Sequence, residues 1–131
     1  MRLLVDTNRY RDFCDGAEVA VDLFRRAEKI WLPFVVVAEL RAGFACGTMS
    51  RRNEAVFQAF ITRPRVGILF ADEQTTHHFA RLFRQLKVQG TPIPTHDLWI
   101  AALTLQHDLV LFSRDRHFKV LPQLPIMNNA D

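Results

Sequence analysis

The chain has 131 residues, of which 49% are hydrophobic and 24% are charged, and its 17 basic and 14 acidic side chains leave a formal net charge of +3 at pH 7. This balance is typical of a globular domain and excludes an intrinsically disordered chain, a coiled coil and a repeat array. A chain of this length is expected to form one compact domain, here residues 1–131, whose core needs no disulfide or structural metal.

The first third of the chain predicts a strand, a helix and a second strand. The apolar run at residues 3–5 ends at Asp6, which is typical of a buried strand whose carboxyl end carries an acid. Residues 17–29 predict a helix, because apolar side chains recur there at helical spacing. These side chains are Ala20, Leu23, Phe24 and Ala27. Residues 30–32 then predict a short strand that Pro33 closes.

Residues 34–45 have features of both a strand and a helix. Three consecutive valines at positions 35–37 favour a strand. Pro33 suits the first turn of a helix, and a strand of this length would be unusual. The apolar residues that repeat every four positions are Val36, Leu40 and Phe44. The segment is therefore predicted to be a helix.

The middle of the chain predicts two more helices with a strand between them. One helix begins at Ser50 and ends before Pro64. Its predicted buried side chains are Val56, Phe57, Phe60 and Ile61. Residues 66–70 predict a strand, and a helix capped by Asp72 and ended by Gly90 follows it. The predicted buried side chains of this second helix are Phe79, Leu82, Phe83 and Leu86.

The last third of the chain completes an alternating pattern. Residues 97–106 are apolar nearly all round, which predicts a buried helix with Thr95 as its N-cap. Residues 109–112 predict a central strand, and residues 124–127 predict a weaker last strand. Short apolar strands that alternate with helices predict an α/β fold, namely a three-layer α/β/α sandwich around a mostly parallel sheet.

Three features predict a cytoplasmic protein with no membrane segment. The first apolar run is too short for a secretory signal. The longest apolar stretch, residues 31–38, is far shorter than the ~20 residues that cross a bilayer. Cys14 and Cys46 could form a single disulfide, but in a reducing compartment they are predicted to be small buried side chains of the core.

Four acidic residues are candidates for chemistry because of where they lie. The reactive crevice of an open parallel sheet lies beyond the carboxyl ends of its strands, where Asp6 and Asp115 are predicted. Glu39 and Asp97 lie in apolar surroundings, where a charge is costly. Each acid taken alone also has a purely structural explanation. Asp6 could form a turn, Asp115 could be a solvated loop acid and Glu39 an exposed helix residue. The charge of Asp97 would be favourable in a first helical turn. Together they come from four segments that this fold class brings to one end of the sheet.

Convergence of these acids predicts a metal-dependent hydrolase. Carboxylates about 5 Å apart repel by about 3 kcal/mol per pair at an effective dielectric constant of 20, so the site must protonate or bind a cation. Oxygen ligands select a hard ion such as Mg²⁺ or Mn²⁺, which serves phosphoryl chemistry by activating a water. Outside these acids, 17 basic side chains stand against 10 acidic ones. An acidic pocket in a basic shell predicts a nucleic-acid hydrolase.

Four blocks of sequence carry a resemblance to a known family. They are LLVDTN at 3–8, VVAELRAG at 36–43, IPTHDLWIAA at 93–102 and LFSRDRHF at 111–118. In this order they resemble the motifs of PIN-domain ribonucleases, and most closely those of the VapC-type toxins of bacterial toxin-antitoxin pairs. The resemblance implies four metal-binding acids, which are Asp6, Glu39, Asp97 and Asp115. It also implies RNA cleavage by a metal-activated water, a cognate antitoxin that blocks the site, and a homodimer.

Two positions depart from the pattern of that family. His96 stands where Asn is common, and it could contact substrate, tune Asp97 or bind the metal, or simply face solvent at the start of a helix. Ser113 stands where Thr is common and keeps the hydroxyl. Thr7 and Ser113 are predicted to orient the acids by hydrogen bonds, although hydroxyls also suit turns.

Basic side chains flank the first and last of the four acids. Arg9, Arg114 and Arg116 are predicted to bind RNA phosphates, and His96 is a further candidate. The alternative is that the arginines balance the negative charge of the site, and the two roles are compatible.

Three other functions compete with a toxin nuclease. A PIN-like RNA-processing nuclease without a toxin role would share the same site. A catalytically silent module could use the acidic pocket to bind a basic side chain of a partner. A signalling receiver domain would need paired acids after the first strand, whereas Asp6 stands alone. An intact set of four acids favours the nuclease.

Overall fold

The computed structural model describes residues 1–127, and within them a single five-stranded sheet forms the centre of the fold. Its strands are β1 (Arg2–Val5), β2 (Lys29–Pro33), β3 (Val66–Leu69), β4 (Val110–Phe112) and β5 (Ile126–Met127). Their order across the sheet is β3-β2-β1-β4-β5, and every neighbouring pair is parallel. The predicted parallel sheet is confirmed.

Six α-helices and one 3-10 turn connect the strands in the part of the chain that the structure describes. The helices are α1 (Thr7–Cys14), α2 (Glu18–Arg26), α3 (Phe34–Cys46), α4 (Ser50–Ile61), α5 (Glu73–Gln89) and α6 (Thr95–Gln106), and the 3-10 turn is Arg116–Val120. Helix α5 packs against α6, α1 against α2, and α3 against α4. This is the predicted α/β/α sandwich. Within residues 1–127, every helix is too short or too polar to span a bilayer.

The order of the strands changes direction at β1. The chain runs from β1 to β2 and β3 on one side, and then crosses to β4 and β5 on the other. Leu4 pairs with Trp31 of β2 and with Leu111 of β4, so β1 lies between two neighbours. In sheets of this kind, a crevice forms beyond the carboxyl ends of the strands at such a reversal. The residues that follow β1 and β4 are therefore held side by side.

Helices α1 and α3 differ in how well the sequence predicts them. The predicted helix over residues 34–45 is confirmed as α3, which begins directly after Pro33. Helix α1 is missing from the predicted elements because it is short and mostly polar. It begins at a cap that Asp6 provides. The side chain of Asp6 accepts a hydrogen bond of 2.8 Å from the N–H of Thr7. The backbone carbonyl of Asp6 accepts hydrogen bonds of 3.1 Å from the N–H groups of Arg9 and Tyr10.

The ends of α5 follow the prediction, but the start of α6 does not. Asp72 and Thr75 form a capping box, in which each side chain accepts a hydrogen bond from the backbone N–H of the other. Gly90 ends α5 with a φ of +74°, a left-handed conformation that favours glycine. The prediction of Thr95 as an N-cap is wrong, because Thr95 is the first residue of α6 and Pro94 precedes it without a side-chain cap.

Four predicted core residues lie at the surface instead. Val56 is 50% exposed and Phe83 is 54% exposed. The buried face of α4 includes Phe57 and Phe60 but not Val56, and that of α5 includes Leu82 and Leu86 but not Phe83. Cys14 and Cys46 are also exposed and are not joined to each other. Each cysteine is the last residue of its helix, where the chain turns out of the core.

Aromatic packing fixes α1 and α2 against the end of β4. The ring of Phe13 stacks on Phe24 with ring centres 4.6 Å apart, and Phe60 contacts both rings. Phe24 meets Phe112 of β4 edge to face at 6.2 Å. Such pairs add stability beyond the area that they bury. The packing keeps the residues after β1 and β4 in a fixed relation to each other.

Candidate metal centre and active site

The four predicted acids line one open cavity of about 300 Å³ at the carboxyl end of the sheet, here called the acidic cavity. Its lining residues are Asp6, Thr7, Asn8, Arg11, Glu39, Pro94, His96, Asp97, Asp115 and His117. Asp6 directly follows β1, and Asp115 lies three residues beyond β4. Glu39 comes from α3, and Asp97 comes from the first turn of α6. The structure therefore brings the four segments together, while the chemical role of each acid stays a prediction.

Asp6 is buried, and both of its carboxylate oxygens accept hydrogen bonds. Oδ1 accepts a bond of 2.8 Å from the N–H of Thr7, and Oδ2 accepts one of 2.6 Å from the hydroxyl of Ser113. Burial raises the pKa of Asp6, while the bonds from Ser113 and Thr7 oppose that rise and the charge of Asp115 adds to it. A carboxylate held in this way is oriented, and its negative charge is costly in the absence of a cation.

His117 lies between two of the acids. Its Nδ1 is 2.8 Å from Oδ2 of Asp97 and 3.2 Å from Oδ1 of Asp115. One potential ligand atom from each of these residues lies within 4.8 Å of the other two. Asp115 also accepts a bond of 2.9 Å from the N–H of His117, which caps the 3-10 turn and directs the imidazole towards α6.

The charges at this corner of the cavity influence one another. Burial is the main cause of a raised pKa for Asp97, and the negative charges of Asp115 and Asp6 add to it, while the hydrogen bond to His117 opposes it. The same hydrogen bond raises the pKa of His117, with further contributions from the charges of Asp115 and Asp97. The corner therefore concentrates negative charge that a bound cation would neutralise.

Glu39 forms the rim of the acidic cavity together with Thr7 and His96. The hydroxyl of Thr7 donates a hydrogen bond of 3.0 Å to Oε2 of Glu39. Nε2 of His96 also lies 3.0 Å from this oxygen, but the alignment is not that of a hydrogen bond, and this buried nitrogen has no hydrogen-bond partner among residues 1–127. His96 therefore lines the cavity with a side chain that is still 34% exposed, so its role stays a prediction.

Asp12 binds two of the three arginines that were expected to contact RNA. Arg9 donates to Oδ2 of Asp12 at 3.1 Å, lies 4.5 Å from the ring centre of Phe112 and is 8% exposed. Burial of this guanidinium against Phe112 of β4 disfavours a contact of Arg9 with RNA, and that role stays a prediction. Arg114 donates two bonds to Asp12, at 2.9 and 2.8 Å, and remains exposed, as does Arg116. For these two arginines RNA binding stays a prediction.

Three residues at or beside the site are absent from the predicted set, namely Asn8, Asp12 and His117. Asn8 and Asp12 lie on α1, which the sequence does not predict, and helical spacing places them along one side of that helix. The sequence position of His117 could have predicted its place at the site. It lies two residues after an acid that follows a strand, and a single short turn can bring such an imidazole back beside that acid.

The residues of the acidic cavity fit a divalent cation. Carboxylate oxygens are the ligands that Mg²⁺ and Mn²⁺ prefer, and the cavity presents them from four segments. Asp6 and Asp97 are buried acids with raised pKa values, so a cation would stabilise their ionised forms. The buried nitrogen of His96 is a further donor atom that faces this space.

Comparisons with known proteins give a consistent result. Residues 4–124 match the PIN domain family. Ribonuclease VapC1 of Haemophilus influenzae (strain R2866) is 32% identical over 88 residues, which are 67% of this chain and 64% of that protein, so the match spans less than two thirds of this curated relative. DNA-bound VapBC from Salmonella typhimurium has a TM-score of 0.86 at 25% identity over 97% of each chain. VapBC-1 from nontypeable Haemophilus influenzae has a TM-score of 0.86 at 22% identity over 98% of each chain.

The likeness extends over the fold and over the acidic cavity. The matched residues run from within β1 to beyond the 3-10 turn, so they include all four acids. The solved structures cover nearly the whole chain with the same arrangement of strands and helices. The chain belongs to the PIN-domain family.

Proposed function

We propose that this protein is a metal-dependent endoribonuclease that acts as the toxin of a toxin-antitoxin pair. The observation that carries the proposal is the meeting of four carboxylates, from four separate segments, in one open cavity of a PIN-domain fold. One similar protein is named Ribonuclease VapC1, and two similar structures are VapBC proteins. These names support extending RNA cleavage and the toxin role to this chain.

We infer that the acidic cavity binds Mg²⁺ or Mn²⁺. Asp6, Asp97 and Asp115 would hold the ion, and Glu39 on the rim would contact it directly or through water. When bound, such an ion lowers the pKa of a water and neutralises negative charge on the scissile phosphate. Binding of the ion would also favour the ionised forms of the buried acids Asp6 and Asp97.

The side chains of the cavity orient the acids and receive the proton of the attacking water. Ser113 and the N–H of Thr7 hold Asp6, while the hydroxyl of Thr7 holds Glu39. We assign Glu39 as the proton acceptor, because its side chain is 47% exposed and therefore meets both solvent and substrate. The water oxygen bonds to phosphorus, the bond from phosphorus to the leaving ribose oxygen breaks, and that oxygen takes a proton from solvent.

Charge around the cavity favours a long anionic substrate. Arg11 lines the cavity, and the exposed side chains of Arg114 and Arg116 flank Asp115. Apart from the four acids of the site, the sequence has 17 basic and 10 acidic side chains. A basic surface around an acidic metal centre attracts RNA phosphates and lets the centre act on one of them.

An antitoxin would silence the enzyme from a groove that adjoins the acidic cavity. The groove has a volume of about 650 Å³ and lies between α1, α3 and α4. Arg11 lines both the groove and the cavity, so a peptide seated in the groove could place a basic side chain among the acids. We also propose that the protein forms a homodimer and acts in the cytoplasm.

RNA cleavage by the purified protein tests the enzymatic part of this proposal. The wild type should cut RNA internally with Mg²⁺ or Mn²⁺, and EDTA should stop it. Asp6→Asn and Asp97→Asn should each lower the rate by at least about a hundredfold, because each removes a metal ligand. Asp22→Asn is the matched control, since it removes an exposed acid of α2 that pairs with Arg26 outside the site.

Growth after induction without a partner protein tests the toxin role. The wild type should stop growth, the Asp97→Asn variant should not, and sequencing of RNA ends after brief induction should reveal the cleaved site. Cleavage that persists in Asp97→Asn or in EDTA would contradict the enzymatic proposal. An active enzyme that leaves growth unchanged would instead be a PIN-like RNA-processing nuclease.

A further inference from the structure

One corner of the acidic cavity contains an imidazole in addition to carboxylates. We propose that Nδ1 of His117 is a direct ligand of the divalent ion, together with Asp97 and Asp115, and that the site therefore favours first-row transition ions from Mn²⁺ to Co²⁺ over Mg²⁺. The inference rests on the proposed metal-dependent function. It adds a nitrogen ligand to the oxygen ligands already assigned there.

Two of the three distances among these ligand atoms match those of neighbouring ligands around one ion. Two ligands at right angles, each about 2.1 Å from an ion, lie about 3 Å apart. Nδ1 of His117 lies 2.8 Å from Oδ2 of Asp97 and 3.2 Å from Oδ1 of Asp115. An ion at this corner would replace the proton between Nδ1 of His117 and the two carboxylates.

The fold holds His117 in this position independently of its contact with Asp97. The N–H of His117 donates to Asp115 at 2.9 Å, and the N–H of Asp115 donates to the hydroxyl of Ser113 at 3.0 Å. The next residue, Phe118, is fully buried and anchors the turn in the core. The backbone of His117 is thus fixed beside the acids, and its half-exposed imidazole needs to settle only its side-chain torsions to act as a ligand.

The arrangement differs from that of a simple counter-ion. A counter-ion of Asp97 needs one contact with one acid, whereas His117 contacts an acid of α6 and an acid of its own turn. The other imidazole of the cavity also has a nitrogen beside a carboxylate, with Nε2 of His96 3.0 Å from Oε2 of Glu39. Nitrogen donors thus lie on two sides of the acidic cavity.

The identity of the donor atom determines the preferred ion. Mg²⁺ prefers oxygen ligands and retains several waters, whereas imidazole nitrogen binds transition ions more strongly, with affinity rising from Mn²⁺ to Co²⁺. Loss of the His117 nitrogen should therefore weaken Co²⁺ binding by at least about tenfold. Mg²⁺ binding should change by less than about threefold, because Mg²⁺ gains little from a nitrogen ligand.

Binding of Co²⁺ and of Mg²⁺ to the purified protein tests this proposal, with calorimetry for both ions and visible absorption for Co²⁺. His117→Ala should lose Co²⁺ affinity selectively, and its Co²⁺ spectrum should change because a nitrogen ligand is absent. His77→Ala is the matched control, since it removes an exposed histidine of α5 outside the cavity. Thermal unfolding of each variant without metal establishes that it is folded.

A second measurement uses the wild type and needs no substitution. The ring ¹⁵N resonances of His117 should show Nδ1 shifting on addition of diamagnetic Zn²⁺. An unchanged Nδ1 resonance at saturating Zn²⁺, or equal losses of Co²⁺ and Mg²⁺ affinity in His117→Ala, would overturn the proposal. If Asp97→Asn abolishes Co²⁺ binding and His117→Ala leaves it unchanged, His117 is not a ligand although the metal site of the proposed function stands.

Discussion

The hydroxyl of Ser113 lies 2.6 Å from Oδ2 of Asp6, across 107 positions of the sequence. The same hydroxyl accepts a hydrogen bond of 3.0 Å from the N–H of Asp115, so it joins the acid after β1 to the acid after β4. The two strands are neighbours, and the N–H of Asp6 continues their pairing by donating to the carbonyl of Phe112 at 3.1 Å. The relative position of Asp6 and Asp115 in the acidic cavity thus follows from the pairing of two strands.

Ser113→Ala should weaken both metal binding and RNA cleavage by about ten- to a hundredfold, because Asp6 loses the bond that orients it. The substitution also leaves the half-buried N–H of Asp115 without its acceptor, which costs about 0.5–1.5 kcal/mol of unfolding free energy. Ser113→Thr keeps the hydroxyl and should retain metal affinity. Equal metal affinity in the two variants, measured by calorimetry, would show that this hydroxyl does not orient Asp6.

Asp97→Asn should abolish activity and yet raise the melting temperature of the metal-free protein at pH 7. Burial raises the pKa of Asp97, so the folded state disfavours its ionised form. Ionisation of Asp97 therefore lowers the free energy of unfolding. This loss begins as pH rises above the pKa of Asp97 in the unfolded chain, near 4, and is complete above its raised pKa in the folded protein. Thermal unfolding in EDTA should therefore show a stabilised variant at pH 7 and a smaller difference near pH 4. A variant that melts below the wild type at pH 7 would contradict this expectation.

Asp12→Asn should destabilise the fold in a pH-dependent manner. The hydrogen bond from Arg114 lowers the pKa of Asp12, and Arg9 contributes to the same effect. A carboxyl whose pKa is lowered on folding stabilises the protein above its unfolded pKa near 4, and this stability is lost as pH falls through the lower folded pKa. We expect a loss of about 1 kcal/mol at pH 7 that shrinks below pH 4, measured by urea unfolding. The same loss at both pH values would show that the charge of Asp12 is not its cause.

Thr7→Val should slow RNA cleavage about tenfold while leaving the melting temperature close to that of the wild type. The substitution removes the hydroxyl that donates to Oε2 of Glu39, so the half-exposed carboxylate loses its fixed orientation. Thr7→Ser retains the hydroxyl and is the matched control. Cleavage rates that do not differ between the Val and Ser variants would rule out this role.

The parts of the fold that the sequence predicts well rest on strong local patterns. The apolar runs of β1 and β4, the apolar helix α6 and the Asp72 cap each have a signal within a few residues of sequence. The convergence of the acids follows from them, because the carboxyl ends of parallel strands share one edge of a sheet. Asp6 and Asp115 are therefore placed correctly without any knowledge of tertiary contacts.

The parts that the sequence does not predict depend on contacts between distant residues. Helix α1 is short and polar, and it is stabilised by the packing of Tyr10 and Phe13 on the aromatic cluster around Phe60. Arg9 turns inward because Asp12 and Phe112 compensate its buried charge, and the contact with Phe112 spans distant parts of the sequence. His117 reaches Asp97 only because a 3-10 turn follows β4.

The position of a bound ion is the decisive measurement, because the proposed chemistry requires one divalent ion among these carboxylates. Crystals grown with Mn²⁺ allow an anomalous difference map to locate the metal directly. We expect a peak in the acidic cavity within about 2.5 Å of carboxylate oxygens of Asp6, Asp97 and Asp115. Absence of a peak in the cavity at saturating Mn²⁺, or a peak only elsewhere on the protein, would contradict the proposed nuclease.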